Sequence, residues 1–138
     1  MKKLLFSTRI YAIDVALVLL RVASAVMMAT HGWPKIANFS AYLNRFADPL
    51  GLGAATSLQL TIFAEFFCAI LVALGLVTRL ALIPLIITMG TVAFVVHGAD
   101  PFSDKEMALL YLTAFVALFI TGPGKYSMDA QILRKNRF

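Results

Sequence analysis

Four apolar stretches, each near the length of a membrane span, set what this chain can fold into. They run from about Ala12 to Thr30, Ala55 to Leu76, Leu80 to Val96 and Met107 to Thr121. A spanning helix needs about 20 residues, within a range of about 17–25. The third and fourth stretches lie at the short end, so their helices are expected either to tilt little or to extend into the interface. Pro84 is expected in the first turn of the third helix, where a missing N–H costs little. Gly122-Pro123-Gly124 is a firm stop for the fourth. Composition agrees, with 61% apolar and 14% charged residues in a chain of 138. Soluble domains are about 45–50% apolar and about 25% charged. A soluble core of this size cannot hide so much apolar surface, whereas lipid can cover it. The sequence therefore predicts an all-α integral membrane four-helix bundle, with residues 1–138 as a single membrane domain.

The connections add detail. The link around Val77 to Leu80 is so short that the second and third helices must form an antiparallel hairpin. In the long 33–56 loop, Ile36, Phe39, Leu43 and Phe46 recur at helical spacing. That pattern predicts a short amphipathic helix on the outer membrane surface. Gly51-Leu52-Gly53 reads as a turn before the second helix.

Topology follows from Lys and Arg placement. With the N-terminus inside, Lys2, Lys3, Arg9, Arg79, Lys125, Arg134, Lys135 and Arg137 fall on the inner side. Only Lys35, Arg45 and Lys105 fall on the outer side. The asymmetry predicts a multi-pass membrane protein with both termini cytoplasmic. The first 25 residues resemble a signal peptide, but Asp14 and Arg21 interrupt the apolar run, so a retained first helix is expected. The net charge of +5 sits mostly at the chain ends. That suits anionic membrane lipid as a partner and argues against nucleic acid. Trp33, Tyr42, Tyr11 and Tyr126 fall at aromatic-belt positions. The single cysteine, Cys68, precludes an intrachain disulfide; in apolar surroundings it is expected to be inert.

Ionisable residues at membrane depth are costly and default to functional candidates. Arg21 lies ten residues below His31, about 15 Å along a helix, and Glu65 about 13 Å below the start of the second helix. Matching depths suggest an Arg21–Glu65 ion pair inside the bundle, either functional or serving only to fix helix register. Arg21, Ser24, Met28 and His31 share a helix face, as do Gly90, Ala93 and His97, and Glu106, Leu110, Thr113 and Ala117. His31, His97 and Glu106 fall at the outer ends of their helices. The expected site is thus a polar cluster of Arg21, His31, Glu65, His97 and Glu106 in the outer half, able to bind a ligand or relay protons. No residue is assigned a catalytic role. No metal is assigned either, because the histidines and carboxylates lack metal-ligand spacing and lie on separate helices. Two histidines at one depth give little support for haem. Met27, Met28, Met89 and Met107 either shape an adaptable apolar cavity or are ordinary filler.

The motifs also occur in a telling order. His31-Gly32-Trp33-Pro34-Lys35 closes the first helix and Glu65 lies in the second. Leu74-Gly75-Leu76-Val77-Thr78-Arg79 follows, and His97 closes the third helix. Gly122-Pro123-Gly124-Lys125-Tyr126-Ser127-Met128-Asp129 follows the fourth. This series, from about Ala16 to Asp129, resembles the DoxX family of small bacterial four-helix membrane proteins. The resemblance implies a link to quinol oxidase, to quinone-linked thiosulfate oxidoreductase subunits, or to membrane complexes handling thiol and oxidative stress. Many relatives have no established activity.

Three readings stay open at this point. One is a redox-associated subunit binding a quinone between the helices, with redox-complex partner subunits. In it Arg21 and His31 bond a ring carbonyl, and Glu65 or His97 relays protons. The second is a non-enzymatic membrane scaffold or small-solute binding protein. The third is a small transporter, which with four helices would work as a homo-oligomer.

Overall fold

The computed structural model describes residues 12–135, which form six helices and no strand. Tyr11 and the basic residues Lys2, Lys3, Arg9 and Arg137 lie outside the described residues. Helix α1 spans Ile13–Ala37 and a short α2 spans Phe39–Leu43. The second and third long helices are α3, Ala54–Leu74, and α4, Thr78–Val96. Helix α5 covers Phe102–Thr121, and α6 covers Met128–Lys135.

Helices α1, α3 and α4 are long and apolar enough to cross a membrane. Helix α5 has 20 residues but opens on Asp104, Lys105 and Glu106, so its apolar run is the predicted 107–121. Helix α3 packs against α1 and α4, α4 against α5, and α5 closes the ring on α1. The expected four-helix bundle is present, with the short α2 in the first long loop.

Its packing is that of a bundle meant for lipid. The interior is rich in small residues: Ala25, Ala64, Ala69, Ala81 and Ala93 are at most 3% exposed. Large apolar side chains such as Leu19, Leu80, Leu110 and Ile120 point outward. Small residues let helix backbones approach, and lipid accepts the outward ones. Gly32 is the extreme case, since a Cβ there would lie 2.9 Å from Glu65 and Phe66 backbone atoms.

Besides the start of α5, two helix boundaries differ from expectation. Helix α1 does not end near Thr30 but runs on through Trp33-Pro34 to Ala37, because a proline in the last turns costs one backbone bond without ending the helix. Helix α4 starts at Thr78, so Pro84 lies in its second turn and not its first. Between α3 and α4, the Gly75 amide donates to Val72 O and the Leu76 amide to Leu71 O. This Schellman ending needs the positive φ of 70° that Gly75 supplies. Both long hairpin helices also contain a π-helical turn, Phe63–Cys68 in α3 and Val92–Val96 in α4.

Candidate functional site

The end of the bundle carrying His31, His97 and the 38–53 loop is called the upper end; the Gly75 link and α6 lie at the lower end. Arg21 sits low in α1, only 2% exposed. Its Nη1 donates to Val72 O at 3.1 Å and Ala73 O at 2.8 Å, and its Nη2 to Tyr126 O at 3.3 Å. A cation on the carbonyls ending α3 is favoured by the helix dipole and supplies bonds those carbonyls lack within the helix. Among the described residues its Nε has no hydrogen-bond partner.

Glu65 therefore does not pair with Arg21. Its carboxylate is engaged by the ammonium of Lys35. The depth match fails because α1 extends past His31, which brings Gly32 level with Glu65. Arg21, eleven residues lower, meets the far end of α3. Lys35 is not among the candidates the sequence offers, because Lys and Arg placement assigns it to the outer loop. A signal was present: the face Arg21, Ser24, Met28, His31 continues at the same spacing to Lys35.

Lys35 and Glu65 are 16% and 6% exposed in their side chains, and Lys35 Nζ also donates to His31 O at 3.0 Å. Glu65 lies in the π turn of α3. Such turns recur at functional sites because they re-aim side chains.

The pair separates two cavities. The larger, about 320 Å³, lies between α3 and α4 beneath the 46–52 loop and receives Thr61, Thr88, Thr91 and His97. Leu60 and Ile87 line it while more than half exposed on the outer faces of their helices, so it opens sideways between α3 and α4. Asp48 fixes its roof. Its carboxylate accepts from the Ser57 hydroxyl at 2.7 Å, the Gly53 amide at 2.8 Å and the Leu52 amide at 2.9 Å. The Ser57 hydroxyl, then the Gly53 amide, hold the Asp48 carboxyl below its ordinary range. The smaller cavity, about 100 Å³, lies between α1, α4 and α5 and is lined by Met28, Met89, Met107, His31 and Tyr111. Both cavities share Lys35, Glu65 and Val92.

The predicted cluster is thus only partly assembled. His31, exposed at the rim of the smaller cavity, meets Tyr111 edge-on with centroids 5.9 Å apart. His97 reaches the larger cavity and bonds Asp100 through Nδ1 at 2.8 Å. Glu106 is exposed and lines neither cavity, and Arg21 belongs to the lower end.

At that lower end a second network gathers the remaining motifs. Asp129 Oδ1 accepts from the Val77 amide at 2.7 Å, and Oδ2 from the Thr78 amide at 2.9 Å and hydroxyl at 2.8 Å. It caps the start of α4. Partial burial pushes the Asp129 carboxyl up, but the Thr78 and Val77 donors together with Arg21 outweigh this and hold it below the ordinary range. Lys125 Nζ pairs with Asp14 at 3.2 Å, and Ser127 is fully buried beside Gly75.

Comparison with known proteins gives a consistent picture. A family model described as DoxX matches residues 16–98. The Escherichia coli (strain K12) protein named Inner membrane protein YqjF is 29% identical over 129 residues, covering 88% of this chain and 95% of the relative. Inner membrane protein YphA of the same organism is 32% identical over 129 residues, covering 83% of this chain and 89% of the relative. No solved structure matches the chain.

Proposed function

The chain belongs to the DoxX family, and on that premise we propose that it is an inner-membrane, redox-associated subunit that binds a quinone or quinol beside Lys35 and Glu65. The carrying observation is a buried ion pair in the wall of a cavity of about 320 Å³ that opens sideways between lipid-facing residues. A cavity of about 300 Å³ or more suits a small ligand. A sideways opening suits one that arrives dissolved in the bilayer, and a mixed lining of threonines and apolar groups suits a ring with two carbonyls.

In this reading the Lys35 ammonium donates to one ring carbonyl oxygen. Glu65, released from Lys35, accepts or delivers one of the two protons that two-electron quinone–quinol conversion requires, and His97 exchanges the other. Electrons come from a redox-active partner subunit, and this chain supplies binding and proton handling. Asp48 positions the roof, and His97 stands at the rim. The inner-membrane location is supported by the names of both relatives. The Lys and Arg asymmetry supports cytoplasmic termini. Arg21 has a different part: three backbone carbonyls occupy its guanidinium, which favours a scaffolding role for the lower end.

The test is to purify the protein from native membranes in mild detergent, extract it and analyse for quinone. The stripped protein is then titrated with a short-chain quinone analogue. Near-stoichiometric quinone, or saturable binding weakened at least about tenfold by Glu65→Gln, is expected; tenfold corresponds to about 1.4 kcal/mol. Absence of quinone in the extract together with no saturable binding overturns the proposal.

A further inference from the structure

We propose that Glu65 exchanges its proton with the upper end of the bundle alone, through the smaller cavity acting as a hydrated chamber that ends at His31. This rests on the reading of Glu65 as a proton-handling residue of the quinone site, and it adds a side to that chemistry.

Size separates the tasks of the two cavities. The smaller one, about 100 Å³, is below the roughly 150 Å³ of a cavity that admits benzene, yet it has room for about three waters at roughly 30 Å³ each. A buried water needs about two to four polar partners. The chamber offers the Glu65 carboxylate, the Lys35 ammonium, the Tyr111 hydroxyl and the His31 imidazole. Among the described residues, the ring cavity and the chamber meet only at Lys35, Glu65 and Val92. Glu65 is thus the acid that touches both.

The chamber is open at one end. Its deep wall is Met28 and Met89, 1% and 5% exposed, and its mouth is Met107 and His31, both exposed at the upper end. One helical turn below lie Ala25, Cys68, Leu85 and Phe115, all at most 2% exposed. Leu82 and Leu118 close the next layer at 0%. Ser24, at that level, spends its hydroxyl on Leu20 O at 2.6 Å. A bare charge crossing those layers would lose its hydration with no replacement. The groups facing Glu65 are Lys35 and His31 from α1 and Tyr111 from α5, with His97 across the larger cavity; α4 adds Met89 and Val92 to the chamber. His31, exposed at the mouth, stands between the chamber and solvent.

The experiment uses right-side-out and inverted membrane vesicles carrying single-cysteine reporters in a Cys68→Ser background. Silver ion in chloride-free buffer, a thiol-modifying cation small enough for a water-sized chamber, is the probe, and exposed Ser40→Cys marks the vesicles that present the upper end. Met28→Cys is expected to react from the upper end only, at least about tenfold faster than Leu85→Cys, because thiol modification follows access. If Met28→Cys does not fold, Met89→Cys on the facing wall gives the same reading. A pH step at the upper end is expected to change an infrared carboxyl band that Glu65→Gln removes. Reporters that stay unreactive from both sides, or react from the lower end, overturn the chamber. A Glu65 band that ignores upper-end pH, or follows lower-end pH, overturns the exchange. Both readouts work without quinone, so a failure of quinone binding is distinguishable from a failure of this proposal.

Discussion

Gly32 and Glu65 touch through backbone: a Cβ at position 32 would lie 2.9 Å from the Glu65 carbonyl carbon. The close crossing of α1 over α3 thereby sets the height of Lys35, one turn further along α1, against the Glu65 carboxylate. A methyl group here cannot be absorbed by a flexible side chain. Gly32→Ala should destabilise the detergent-solubilised protein by about 1–3 kcal/mol, the usual cost of overpacking, and Gly32→Val by more. Thermal unfolding checks this, and quinone-analogue affinity should fall in parallel because the ion pair moves.

The Lys35–Glu65 pair separates a structural from a functional role. Lys35→Met alone leaves a buried carboxylate unpaired and should cost about 3–5 kcal/mol. The double variant Lys35→Met/Glu65→Leu removes both charges and should recover most of that stability, since well-packed apolar replacements of buried pairs are often neutral. Ligand binding should stay lost. A double-mutant cycle read by unfolding and by titration measures both; recovered binding would mean the pair only holds helices together.

Arg21 makes the opposite prediction. Arg21→Ala removes donors from the Val72, Ala73 and Tyr126 carbonyls at once. Each hydrogen bond to a charged group contributes about 1.5–3 kcal/mol, so the folded yield should collapse. Arg21→Lys should rescue only in part, because an ammonium cannot reproduce the planar fork. Size-exclusion profiles in detergent read the yield.

Asp129 predicts an acid limb. Its carboxyl is held below the ordinary range in the folded protein, so the stability it adds is fully present above the unfolded value of about 3.9. That contribution is lost as pH falls through the lower folded value. Melting temperatures between neutral pH and pH 3 should therefore drop at the acid end. Asp129→Asn should lower stability at neutral pH by about 1–2 kcal/mol, as cap losses do, and flatten that limb.

The four long helices were legible because lipid demands continuous apolar runs, and no tertiary context can overrule that demand. Their polar ends were not. Gly32–Ala37 and Phe102–Glu106 are helical without being apolar, so hydropathy stops short of them. That shortfall at the top of α1 produced the mistaken Arg21–Glu65 register and left Lys35 in the loop. Glu65, His31 and His97 were identifiable as costly or helix-end polar residues, and the structure sets them around the two cavities. Glu106 shares their height but faces away, which residue type alone does not reveal. The π turns leave no simple periodic mark, and they shift which residues line a cavity.

Asp129 closes the α3–α4 hairpin from about fifty residues downstream, with sequence separations of 52 and 51 to Val77 and Thr78. During synthesis the hairpin emerges long before the residue that completes it. Formation of the hairpin and its fastening are therefore distinct events in time, and the segment carrying Asp129 is a latch that closes only after α5 has been made. A nascent or truncated protein can be fully inserted and still lack its last fastening.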